Sequence, residues 1–273
     1  MQKNRIIRKG SQLLLWIIPL PFLESFYQPG RLGRFLIAGS IQAVVVATAA
    51  WSVMGRRERW GTNAGRRGAL VAPALLIANW TITSLALNMS NPPRGAAWLA
   101  TQSDQQFRYC ALVAGGLIAL FGLAVLAGVL RRAGEKTLST LAFSTAAVSL
   151  ILFAILFAIY PHATTARFEH EIQSGAAQPW WSVFNSVFFP LQMIQRLLIY
   201  LALVIYAVAL LRVRLLGKVA ITFFIALTVL LAAANVAVHI PPAVPLVLPY
   251  FLGVLLLGAG VGPTASDKEK VVT

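Results

Sequence analysis

The chain has 273 residues, 58% of them hydrophobic and only 11% charged, whereas soluble domains carry about 25% charged residues. One soluble core cannot hide that much apolar surface, and the apolar spans use so much of the length that a large aqueous domain is excluded. The formal net charge of +15 does not indicate nucleic acid, because the basic residues form short clusters between apolar spans, as membrane orientation signals do.

The N-terminal stretch opens with Lys3, Arg5, Arg8 and Lys9 and becomes apolar from Leu13 to Phe26. It resembles a secretory leader, but no small-residue cleavage site follows. A retained first helix is expected there, kinked by Pro19 and Pro21. Seven further apolar spans follow at 35–54, 69–89, 109–130, 138–160, 184–211, 219–239 and 243–262. Most match the roughly 20 residues that a helix needs to cross the hydrocarbon layer. Barrel strands would alternate polar and apolar residues, whereas runs such as Ala142–Tyr160 are almost continuously apolar. The fold class expected is all-α, a polytopic helical membrane bundle of about eight transmembrane helices. Residues 1–262 read as one transmembrane domain and 263–273 as a short cytoplasmic polar tail.

Charge sets the expected orientation. With the N-terminus inside and every span crossing, the inner segments hold 17 of the 23 Lys and Arg, and the outer segments hold only Arg31, Arg34, Arg94, Arg108 and Arg167. Short cytoplasmic loops carry such an excess of positive charge, so both termini are expected on the cytoplasmic side. The clusters at 56–67, 131–136 and 212–218 share a side with the basic N-terminus only if the first helix crosses. The outer segments 90–108 and 161–183 contain Trp98, Trp180 and Trp181. They read as loops with short helical pieces lying in the interface.

Several small residues stand in the fourth span. Ala111/Gly115 and Ala124/Gly128 have the spacing that lets helices approach closely, and packing within the bundle is the favoured reading over self-association. The single cysteine, Cys110, reads as an apolar filler.

Ionisable groups within a membrane are expensive, so they mark candidate sites. Glu24 stands near the outer end of the first span, Arg196 inside the sixth and His239 at the outer end of the seventh. Gln192, Arg196 and Tyr200 recur every four residues and share one helix face, with Gln195 adjacent. The candidate ligand-binding set is Glu24, Gln192, Gln195, Arg196, Tyr200, Asn235 and His239, with Arg196 expected to pair with Glu24 or an anionic ligand. A purely structural ion pair and hydrogen-bond set is the competing reading of the same residues. A second polar group, Asn79, Thr81, Thr83, Ser84 and Asn88, reads as interhelical hydrogen bonding.

His162, Glu169, His170 and Glu171 have no recognisable metal-ligand spacing. No catalytic motif is present, and neither metal nor cofactor is expected. The leading expectation is a non-enzymatic bundle that binds or translocates a small molecule or lipid through an outer-half polar cavity around Arg196. An accessory subunit of a larger membrane complex is the alternative. A lipid-modifying enzyme using His239 or the 162–171 loop comes third. The partners expected are the lipid bilayer, a small-molecule or lipid ligand, and membrane proteins or a second copy of the chain, with no nucleic acid. The short loops suit a bacterial inner membrane.

Overall fold

The computed structural model describes residues 2–17, 32–54, 64–87, 89, 92–237 and 244–259. Their regular structure is helical: α1 (Gln2–Ile17), α2 (Leu32–Met54), α3 (Ala64–Leu87), α4 (Ala96–Ala100), α5 (Gln102–Arg132), α6 (Thr137–Ser174), α7 (Pro179–Arg212), α8 (Lys218–Ala237) and α9 (Val247–Ala259), with a 3-10 turn at Val244–Leu246 before α9. Lipid offers no partner for backbone N–H and C=O groups, so an apolar run satisfies them within its own helix. Hydroxyls on these helices do the same. Thr48, Thr145 and Thr228 each bond the carbonyl four residues back, on Val44, Leu141 and Phe224.

Six described helices, α2, α3, α5, α6, α7 and α8, are long and apolar enough to cross a membrane. The chain is therefore a multi-pass membrane protein. The last expected span, 243–262, takes another form. A 3-10 turn at Val244–Leu246 precedes α9, of which 13 residues are described. The 3-10 turn before it touches α3, α5 and α7, so irregular backbone lies inside the bundle. Of the first expected span the structure describes the part up to Ile17, in α1, which begins within the basic segment; Pro19 and Pro21 lie outside the described residues. α1 packs beside α9. The Tyr250 hydroxyl donates to the Leu15 carbonyl, and Trp16 stacks on Phe251 with centroids 5.4 Å apart.

Small residues on α5 hold the bundle's centre. A Cβ at Gly115 would collide with the Thr83 hydroxyl, one at Gly122 would stand 2.8 Å from Leu76 Cδ2, and one at Gly116 would stand 3.1 Å from the Phe153 ring. The Ala111/Gly115 stripe thus packs inside the bundle, where α3 fills it. Gly128 has open space around its Cα. The Tyr206 hydroxyl on α7 bonds the Leu123 carbonyl on α5 at 2.8 Å, closing the centre from the other side.

At one end of the bundle the α5–α6 and α7–α8 turns carry Arg131, Arg132, Lys136, Arg212, Arg214 and Lys218. Arg212 Nη1 stands 3.6 Å from Glu135 Oε2, linking the two turns. The other end departs from expectation. Segment 161–183, read from sequence as a loop, is a helical hairpin: α6 runs 38 residues to Ser174 and α7 starts at Pro179. Polar residues ended the expected span at Tyr160, but polarity limits burial in lipid, not helix formation. Gly175 closes α6 in the left-handed region at φ 67. Trp98 on α4 donates to Thr165 Oγ1 at 3.0 Å and packs on Tyr109 and Phe168, which fixes the extension of α6.

Candidate functional site

The α7 stripe read from the sequence is buried and bonded to α8. Gln192, Arg196 and Tyr200 lie on the side of α7 opposite Ile194, Leu197 and Leu201, which are exposed as lipid-facing residues are. Arg196 is 5% exposed. Its Nη1 donates to Asn235 Oδ1 at 2.8 Å and its Nη2 to Gln192 Oε1 at 2.9 Å. Asn235 Nδ2 donates to the Tyr200 hydroxyl at 3.1 Å. Four of the candidate residues thus form one network across the α7–α8 seam. Neutral amide oxygens take two of the guanidinium's donors, so ionic attraction is only part of what holds this charge in a low-dielectric setting.

The other candidates part from this network. Gln195 points to α6: its Nε2 donates to Ser149 Oγ at 3.2 Å, and the Ser149 hydroxyl donates to the Gln195 carbonyl at 2.7 Å. The Gln195 Oε1 atom is buried without a hydrogen bond. One position along the helix separates Arg196 from Gln195, and about 100° of rotation sends them to different neighbours. Glu24 and His239 lie outside the described residues, as does Asn88.

The second polar group holds the 3-10 turn before α9. Asn79 Nδ2 donates to the Leu246 carbonyl at 2.9 Å, and Thr83 Oγ1 donates to Asn79 Oδ1 at 3.2 Å. Asn79 and Ser149 lie at the centres of the expected spans 69–89 and 138–160. The turn at Leu246 is thus level with Asn79, and Gln195 with Ser149. Irregular backbone within a membrane bundle requires protein or water around it. Asn79 supplies one of those contacts.

The sequence reading passed over a further buried polar group. Asp104, Gln105 and Arg108 were placed in an outer loop, yet they lie in the first turns of α5 at 2%, 1% and 5% exposure. Asp104, Arg108, Ala111, Gly115 and Gly122 recur at helical spacing on one face. That periodicity, continued outward from the glycines, was the available signal. Gln105 Nε2 bonds Thr101 Oγ1 at 3.3 Å.

These arrangements bond a cation to amides and hold the turn that precedes α9. Among the described residues they offer no nucleophile beside a general base. Compared with protein-family models, characterised proteins and solved structures, the chain matches none.

Proposed function

We propose that this multi-pass membrane protein binds or translocates a small molecule or lipid through the polar network around Arg196. The observation that carries the reading is the guanidinium itself, 5% exposed within a membrane helix and bonded to amides of its own and a neighbouring helix. Ionisable groups at such depth line ligand and ion pathways far more often than soluble surface charges do. An oxygen anion could replace the Gln192 and Asn235 oxygens on the guanidinium fork without a change in its geometry. The ligand class favoured is therefore a carboxylate, a phosphate or an anionic lipid headgroup. The basic turns 131–136 and 212–218 are assigned to the cytoplasmic face, in keeping with a bacterial inner membrane.

The test is a thermal-shift series with acetate, inorganic phosphate and short-chain phosphatidylglycerol on wild type, Arg196→Lys and Arg196→Gln. A ligand that stabilises wild type, stabilises Arg196→Lys less and leaves folded Arg196→Gln unmoved supports the reading. Equal shifts in all three proteins remove it.

The competing assignment is an accessory subunit, favoured by α2 and α8, whose apolar faces are largely exposed. Purification in mild detergent separates the two. A stoichiometric partner protein supports the subunit role, and a ligand-responsive single species supports binding.

A further inference from the structure

The outer hairpin has two unlike sides. On α6, the stretch from His162 to Glu171 carries His162, Arg167, Glu169, His170 and Glu171. On α7, the stretch from Pro179 to Gln195 carries no charged residue. Trp180, Val183 and Val187 are exposed there, and they fall on the same face as the exposed Ile194, Leu197 and Leu201. The stripe thus runs without interruption from the middle of α7 to its outer end. Two serines also stand exposed on this segment. Ser182 bonds the Pro179 carbonyl at 3.0 Å and Ser186 the Val183 carbonyl at 2.8 Å, so each hydroxyl has a partner within its own helix.

Length points the same way. From Trp180 to Arg212, α7 covers about 48 Å at 1.5 Å per residue. A bilayer with its headgroups is roughly 40–45 Å thick, and membrane helices tilt by about 20° on average. A helix with these ends spans the whole bilayer at an ordinary tilt. Trp180 and Trp181 then occupy the outer headgroup belt, where tryptophan is enriched, and Arg212 occupies the inner one. Arg167, which sits over the Trp181 ring at 4.8 Å, falls at the same outer level.

We infer that the outer segment of α7, from Trp180 to Phe189, is a lipid-contacting surface seated in the outer leaflet, with the charged side of α6 facing water. Its occupant is lipid, because the segment continues the exposed apolar stripe at Ile194–Leu201 of a helix long and apolar enough to cross the membrane. These boundaries leave Arg196 sixteen residues from either end of the Trp180–Arg212 segment.

The test is site-directed spin labelling of the full chain in phosphatidylcholine vesicles. Cys110→Ala removes the one native thiol, and labels are attached to Val183→Cys, Val187→Cys and Leu197→Cys, with His170→Cys as the aqueous reference. Collisions with oxygen and with a water-soluble nickel chelate are compared at each site. The expected result is that oxygen dominates at Leu197 and Val187, the ratio falls at Val183, and the chelate dominates at His170. Chelate access at Val183 and Val187 equal to that at His170 would place the hairpin in water and overturn the inference. Shielding from both reagents at these two sites, with Leu197 open to oxygen, would overturn it in favour of a protein partner or second copy. A label-free readout is Trp180→Phe in vesicles of lipid brominated high on its acyl chains. Loss of part of the quenchable fluorescence is expected, and an unchanged quenchable fraction counts against lipid contact.

Discussion

Arg196 on α7 and Asn235 on α8 meet through a 2.8 Å hydrogen bond across the seam between their helices. Among the described residues α8 packs mainly on α7, with smaller contacts to α9 and, through Phe223, to Trp16 of α1. Asn235 serves both sides of the network, accepting from Arg196 and donating to Tyr200.

Asn235→Leu should therefore loosen α8 more than its single position suggests. It removes an acceptor from a buried cation and a donor from a buried hydroxyl, at a cost of about 1–3 kcal/mol. Tyr200→Phe removes only the outer link and should cost nearer 0.6 kcal/mol, roughly the mean for hydrogen bonds within membranes. Thermal unfolding in detergent, with hydrogen exchange across 218–237, checks the order. Equal effects would mean that Arg196 does not depend on Asn235.

The α3–α5 contact predicts opposite outcomes for two glycines on one helix. Gly115→Ala drives a methyl into the Thr83 hydroxyl and close to the Asn79 carbonyl, and overpacking of this kind costs about 1–3 kcal/mol. Gly128→Ala meets open space and should stabilise by up to about 1 kcal/mol, since alanine loses less backbone freedom in a helix. Melting temperatures of the two variants should move in opposite directions.

Asn79→Leu should free the turn before α9. The Leu246 carbonyl would lose its donor, at a cost of about 1–2 kcal/mol. Faster hydrogen exchange confined to 244–250 is the expected signature. A uniform loss of protection would instead assign Asn79 a role in the whole bundle.

On the outer hairpin, Arg167→Ala should cost more than Glu171→Ala. Their ion pair at 2.6 Å is partly exposed and contributes at most about 0.5 kcal/mol between helix neighbours. Arg167 also covers the Phe168 and Trp181 rings at 5.1 and 4.8 Å. That stacking survives loss of Glu171 and vanishes with the arginine. Salt should weaken the Glu171 effect and leave most of the Arg167 effect in place.

The sequence by itself determined the membrane class, six of the crossing helices and the face shared by Gln192, Arg196 and Tyr200. Each follows from local quantities: run length, hydropathy and the 3.6-residue period. Tertiary structure decided which helix answers that face, that Gln195 turns to Ser149, and that Asp104, Gln105 and Arg108 are buried at the head of α5. It also decided where α9 begins. Hydropathy over 243–262 is the same for an unbroken helix as for one that starts at Val247. The choice between them rests on contacts between residues far apart in the chain, such as Asn79 with Leu246, which no local window contains. The extension of α6 past Tyr160 has the same origin: Trp98 and Thr165 are 67 residues apart, and their hydrogen bond helps to hold as helix a stretch that polarity alone marks as loop.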